Sequence, residues 1–213
     1  MMINAYPEIY LNKAMTTTGD IFDCAVNDLQ IAGGEFVKLF VNSTACRRLE
    51  QGDTTYLIGK SGIEIALEIV KEMTGKQLPV KAELHYGRSA EYWTGWAACY
   101  YQWKSNRTYA EIFRAVSFEE FLELYPTLHE ADVTKTAEVL EGRMREIFPE
   151  TNLKRIRTAY GCSQSKLAAL SGVSLRSIQM YEQRKKDINR AQAQSVYRLA
   201  KALGCHVEDL LER

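Results

Sequence analysis

Near the carboxyl end of the chain, Leu175, Arg176, Ser177, Gln179 and Met180 stand close together in a run that reads LRSIQMYE. Their chemistry suits the edges of nucleic-acid bases. A guanidinium fork can bond both guanine acceptors in a major groove, and a carboxamide can do the same for adenine. An aliphatic side chain such as leucine can meet a thymine methyl group, and a serine hydroxyl can pair with either base type. If a helix begins after Ser174, its first turn points Leu175, Arg176 and Ser177 outward. Gln179 and Met180 follow one turn later on the exposed side, while Ile178 and Tyr181 face inward.

Side chains of this kind act only if a scaffold presents that helix, and the surrounding residues spell one. Leu167, Val173, Ile178 and Tyr181 are apolar at spacings that place them on the inner faces of two helices crossing steeply, with small Ala168 at the crossing. Gly172 falls where the first helix must stop in a left-handed turn, and Ser163 and Ser174 precede the two helical runs as N-caps. Together these residues predict a helix-turn-helix.

On those residues the segment from about 152 to 212 resembles the DNA-binding domain of the phage-repressor family, the Cro/C1-type or XRE-type regulators. The other helices of such a domain are also readable. Asn152 through Tyr160 would form the first, ending at Gly161; Gln192 to Leu203 carries Val196, Leu199, Ala200 and Leu203 at helical spacing before Gly204; His206 to Glu212 would close a five-helix unit. The resemblance implies that Gln164 binds phosphate and braces a reading side chain. It also implies backbone contacts from Ser163, Ser174, Arg184, Lys185, Lys186 and Asn189. The sequence departs from the family two residues after Glu182, where a glycine is common and Arg184 stands, so a reshaped or strained turn is expected there.

Overall composition sets the frame. The 213 residues carry no net charge and are 46% hydrophobic, enough for packed cores. The charge is nevertheless polarised: residues 151–213 hold 12 Lys+Arg against 5 Asp+Glu, and residues 1–150 hold 15 against 22. A basic module gains affinity for a duplex by displacing its counterions, while the acidic segment would be repelled. Two domains are therefore expected: 1–150, acidic and helical, for dimerisation, sensing or partner binding, and 151–213 for DNA. The five scattered cysteines form no CxxC pair, and the chain shows neither a secretion signal nor a long apolar run. This predicts reduced thiols in a cytoplasmic protein, with no membrane span.

The first 150 residues read as almost entirely helical, so the expected fold class is all-α. Ile21, Phe22, Ala25, Val26 and Leu29 form one stripe and Phe36, Leu39 and Phe40 another, with glycine boundaries at Gly19, Gly33 and Gly34. Ser61 with Glu64, Thr108 with Glu111, and Ser117 with Glu120 are spaced as capping boxes. A longer helix opens at Asp132 or Thr134, Pro149 marks a brief linker, and a short strand near residues 78–84 is the one β candidate. In EYWTGWAACYYQWK, Trp93, Trp96, Tyr100 and Trp103 share a helix face and read as core. Tyr92 and Tyr101 lie off it as candidate surface contacts.

Signals for other chemistry are weak. Gly59-Lys60-Ser61 imitates the end of a phosphate-binding loop, but six residues separate it from Gly52 where that loop needs four. His85 near Glu83 and His129 near Glu130 are possible general bases with no nucleophile in sight, and Cys205 beside His206 is a poor zinc pair. No enzyme activity, cofactor or metal is expected. The expected function is transcriptional regulation, most simply repression by a homodimer on a palindromic operator. The alternative is an antitoxin-like protein whose acidic domain binds a partner protein and whose basic domain controls its own operon.

Overall fold

Phe22 is the centre of the larger of two compact units. In a computed structural model, which describes residues 4–77, 87–105, 107–148 and 150–212, its ring lies 5.2 to 6.2 Å from those of Phe36, Phe40, Phe113 and Phe118. These phenylalanines come from four helices, so the cluster pins them together. Burial of each ring is worth roughly 2 to 3 kcal/mol.

All regular structure among the described residues is helical, and the fold is all-α. The unit ending at Ile147 contains α1 (Leu11–Asp23), α2 (Gly33–Asn42), α3 (Thr44–Glu50), α4 (Gly62–Thr74), α5 (Ala90–Ser105), α6 (Tyr109–Ala115), α7 (Phe118–Leu128) and α8 (Val133–Ile147). Wider π-type turns follow α1 at Cys24–Asp28 and precede α4 at Thr55–Gly59. The three capping boxes form as their spacing requires: Ser61, Thr108 and Ser117 each accept the N–H of the glutamate three residues on, which bonds back to the cap. Asp132 opens α8 by accepting the Thr134 N–H at 2.8 Å.

Three readings of this unit need correction. Gly19 does not bound a helix: α1 begins eight residues earlier, at Leu11, and runs through it. The missing side chain is used for packing, since a Cβ there would lie 2.7 Å from the Tyr92 ring, and one on Gly95 would lie 2.5 Å from the Thr18 carbonyl oxygen. The two small residues let α1 and α5 run unusually close. Tyr92 and Tyr101 are buried rather than presented to a partner, whereas Trp96 and Tyr100 are only half-buried. A helix enclosed by α1, α7 and α8 is apolar around most of its circumference, so no single stripe marks its inner face.

The remaining motifs of this unit are accounted for locally. Lys60 bonds Glu68 at 2.6 and 2.8 Å and lies over the Tyr56 ring, while Ser61 caps α4. His129 ends α7, its Nδ1 2.8 Å from the Tyr125 carbonyl and its ring stacked on that tyrosine. The candidate strand at 78–84, His85 with Glu83, and Pro149 lie outside the described residues. All five thiols are free. Cys24, Cys46, Cys99 and Cys162 are buried and Cys205 is half-buried. Burial and neighbouring carboxylates push Cys24 up to about 12 and Cys46 higher still.

The second unit begins at Phe148 and contains α9 (Asn152–Ala159), α10 (Gln164–Ser171), α11 (Leu175–Glu182), a 3-10 turn (Ile188–Arg190), α12 (Ala193–Leu203) and α13 (Val207–Leu210). Leu153, Leu167, Val173, Ile178, Tyr181, Ile188, Val196, Leu199, Leu203 and Leu210 make its core, drawn from every helix. Helices α9, α10 and α12 each end at a glycine with φ near +65°, namely Gly161, Gly172 and Gly204. Such a conformation satisfies the last carbonyls without strain.

Candidate nucleic-acid interface

Helix α11 is set by its two ends. Ser174 accepts the Ser177 N–H at 3.1 Å and so starts the helix one residue after the turn, and Ile178 and Tyr181 are buried beneath it. This fixes the rotation of the helix about its axis. Leu175, 37% exposed, and Arg176 are on the surface, and among the described residues Arg176 makes no ion pair. Ser177 is half-buried, its Oγ 2.9 Å from that of Ser174. Gln179 and Met180 are also half-buried, less open than Leu175 and Arg176 one turn earlier. They flank Ile178 and Tyr181 closely enough for the bundle to cover part of each.

A charged assembly behind α11 determines how it meets α9 and α10. Arg157 on α9 donates from Nε to Glu182 Oε1 at 2.6 Å and from Nη2 to Oε2 at 3.0 Å, and its Nη1 donates to the Cys162 carbonyl at 2.6 Å. Gln164, at the first position of α10, donates to Glu182 Oε2 at 2.7 Å. The Glu182 side chain is only 2% exposed, so the pair is dry and charge-assisted. The hydrogen bond to Glu182 raises the already high pKa of the Arg157 guanidinium. Gln164 thus braces the end of α11 instead of a base-reading side chain.

Phosphate contacts were expected from two groups that divide in the structure. Ser163 and Ser174 are exposed N-caps, and Lys185 and Lys186 are exposed on the turn after α11. The N–H groups of both lysines converge on the Met180 carbonyl at 2.9 and 3.1 Å, and Lys186 Nζ sits 5.5 Å from the centre of the Tyr181 ring. Arg184 and Asn189 do not face outward unpartnered as a phosphate role implies. Arg184 Nη1 donates to Glu212 Oε2 at 2.6 Å, and Asn189 exchanges hydrogen bonds with the Glu212 main chain through both ends of its carboxamide. Both are drawn toward the carboxyl-terminal segment because that segment returns alongside the turn after α11.

Arg157, Glu182 and Glu212 were not recognised as important from the sequence. Glu182 did carry a signal: it follows Ile178 and Tyr181 at inward helical positions, and a carboxylate there requires an internal partner. Glu212 carried none, being 28 residues from Arg184.

This geometry agrees with the comparison to known families. A helix-turn-helix family model matches residues 153–210, which spans α9 to α13. The carboxyl-terminal unit is a Cro/C1-type, XRE-type helix-turn-helix domain, and the chain carries the module of a DNA-binding regulator of that type. No curated protein and no solved structure matches the chain. No helix among the described residues is long and apolar enough to cross a membrane.

Proposed function

We propose that the protein is a cytoplasmic transcriptional repressor that acts by binding, without catalysis, as a homodimer on a palindromic operator. The observation that carries this reading is the exposure of Leu175 and the unpaired Arg176 on the first turn of α11, on a helix whose opposite face is locked into the core. Arg176 reads guanine, Leu175 a thymine methyl and Gln179 adenine; Ser177 and Met180 complete the reading face. Ser163, Ser174, Gln164, Lys185 and Lys186 line the phosphate backbone. Two copies with recognition helices about 34 Å apart would square the discrimination of one. The acidic excess of residues 1–150 supports a role away from the duplex for that unit, in dimerisation or partner binding.

The test is selection of binding sites from a random duplex pool, followed by salt titration. Arg176→Ala should abolish preference at one base pair of each half-site, a loss of about 1 to 3 kcal/mol. Lys185→Ala should weaken every duplex equally and reduce the salt slope by about 0.9. Selection that returns no enriched sequence would refute sequence-specific regulation.

A further inference from the structure

Arg184 has φ of +55°, a conformation in which any side chain other than glycine is strained, and it does so at the first turn residue after α11 that carries a charge. A strained residue persists only where its surroundings over-determine it. Here the surroundings converge on Glu212. One carboxylate oxygen accepts the Arg184 guanidinium at 2.6 Å and the other accepts the Asn152 N–H, at the start of α9, also at 2.6 Å. The Glu212 N–H donates to Asn189 Oδ1 at 2.9 Å, the Asn189 amide donates back to the Glu212 carbonyl, and Asn152 Nδ2 donates to the Leu211 carbonyl at 2.7 Å. The Glu212 side chain is 16% exposed and that of Arg184 39%, so solvent only partly weakens the pair.

Between these anchors lies the short turn that bears Lys185 and Lys186. On the helix side its backbone is tied to α11, the N–H groups of 184 to 186 bonding the Tyr181 and Met180 carbonyls, and the chain then passes directly to the Asp187-capped 3-10 turn. We infer that Glu212 is a positioning residue for DNA binding, holding the left-handed turn at Arg184 so that Lys185 and Lys186 face the phosphate backbone. In this assignment Arg184 and Asn189 serve the interface without touching it. The inference rests on the DNA-binding reading above and assigns it a control point at the far end of the domain.

The sign of the effect separates this role from a simple charge effect. Removing an acidic group near a polyanion ordinarily tightens binding and steepens its salt dependence. If Glu212 positions the lysines, its removal does the reverse. The measurement is the affinity of the full chain for a mixed-sequence 30-base-pair duplex across a salt series, with circular dichroism and thermal melting to follow folding. Glu212→Gln should bind more weakly, with a salt slope lower by about 1 to 2, the equivalent of one or two lost phosphate contacts. Tighter binding with a steeper slope would overturn the inference.

A second pair of variants covers the case in which Glu212→Gln fails to fold. Arg184→Ala keeps a side chain in the left-handed turn but removes the clamp, and should lower the slope. Arg184→Gly adopts that turn without strain and should restore it to near the native value. If both variants lose the same slope of about 0.9, Arg184 is itself a phosphate contact and the positioning role is wrong. A native chain that does not bind the duplex at all refutes the DNA-binding reading itself, a result distinct from native binding with an unaltered or steeper Glu212→Gln slope.

Discussion

Arg157 and Glu182 form a two-point ion pair, 2.6 and 3.0 Å long, across the junction of the first and third helices of the carboxyl-terminal unit. With Gln164 on the same carboxylate, the pair joins α9, α10 and α11. Removing one partner leaves the other charge buried, and Arg157→Ala should cost about 3 kcal/mol in the melting transition of this unit. Replacing both, Arg157→Met with Glu182→Leu, should recover most of that loss. Equal destabilisation by the single and double variants, measured by chemical denaturation, would show that the pair is not what the junction depends on.

Gly172→Ala isolates the conformational demand of the turn between α10 and α11. Glycine there has φ of +68° and open space around it, so an added methyl meets no neighbour. The loss should be about 1 to 2 kcal/mol from backbone strain alone. Thermal melts should show it, and a hydrogen–deuterium exchange profile unchanged outside residues 164 to 182 would confirm that packing is intact.

Gly95→Ala tests the opposite situation in the amino-terminal unit. Its backbone is ordinary helix, but a Cβ would approach the Thr18 carbonyl to 2.5 Å. Helices α1 and α5 must separate to admit it, and overpacking of this kind costs about 1 to 3 kcal/mol. A melting temperature at or above that of the native protein would mean that the two helices yield freely.

Glu50 introduces a pH dependence. Burial holds its carboxyl above the ordinary carboxylate range, only partly opposed by the 2.7 Å hydrogen bond from the Tyr109 N–H. Below the unfolded value of about 4.3 the acid is neutral in both states, so its stability contribution is fully present. As pH rises the unfolded chain ionises first, and that contribution is lost progressively until the folded group has ionised too. Glu50→Gln keeps the acceptor and removes the charge. It should raise the melting temperature at pH 7 and leave it nearly unchanged at pH 4; an equal shift at both would show that the effect is not ionic.

What could be read from sequence alone was what depends on neighbours along the chain. The capping pairs Ser61–Glu64, Thr108–Glu111 and Ser117–Glu120 lie one helical turn apart, and the inward positions Leu167, Ile178 and Tyr181 follow from periodicity. The departure at Arg184 was also legible, because the left-handed turn it now occupies is where glycine would be expected. Contacts between distant segments were not. Gly19 reads as a stop until the Tyr92 ring is found against it, and Tyr92 and Tyr101 read as exposed until α5 is seen to be enclosed. Among the site residues, the first-turn positions Leu175 and Arg176 are on the surface, but the bundle covers part of Gln179 and Met180. Arg184 and Asn189 belong to a cluster whose hub lies more than twenty residues away.

The uneven shielding of the five thiols gives the molecule a built-in reporter. With four of them sealed in the two cores and Cys205 alone half-open at the end of α12, a maleimide dye added to the native chain should label one position, in the carboxyl-terminal unit. Each further equivalent of dye taken up during denaturation then records the opening of a core. Mass spectrometry of the labelled peptides would tell which of the two melts first.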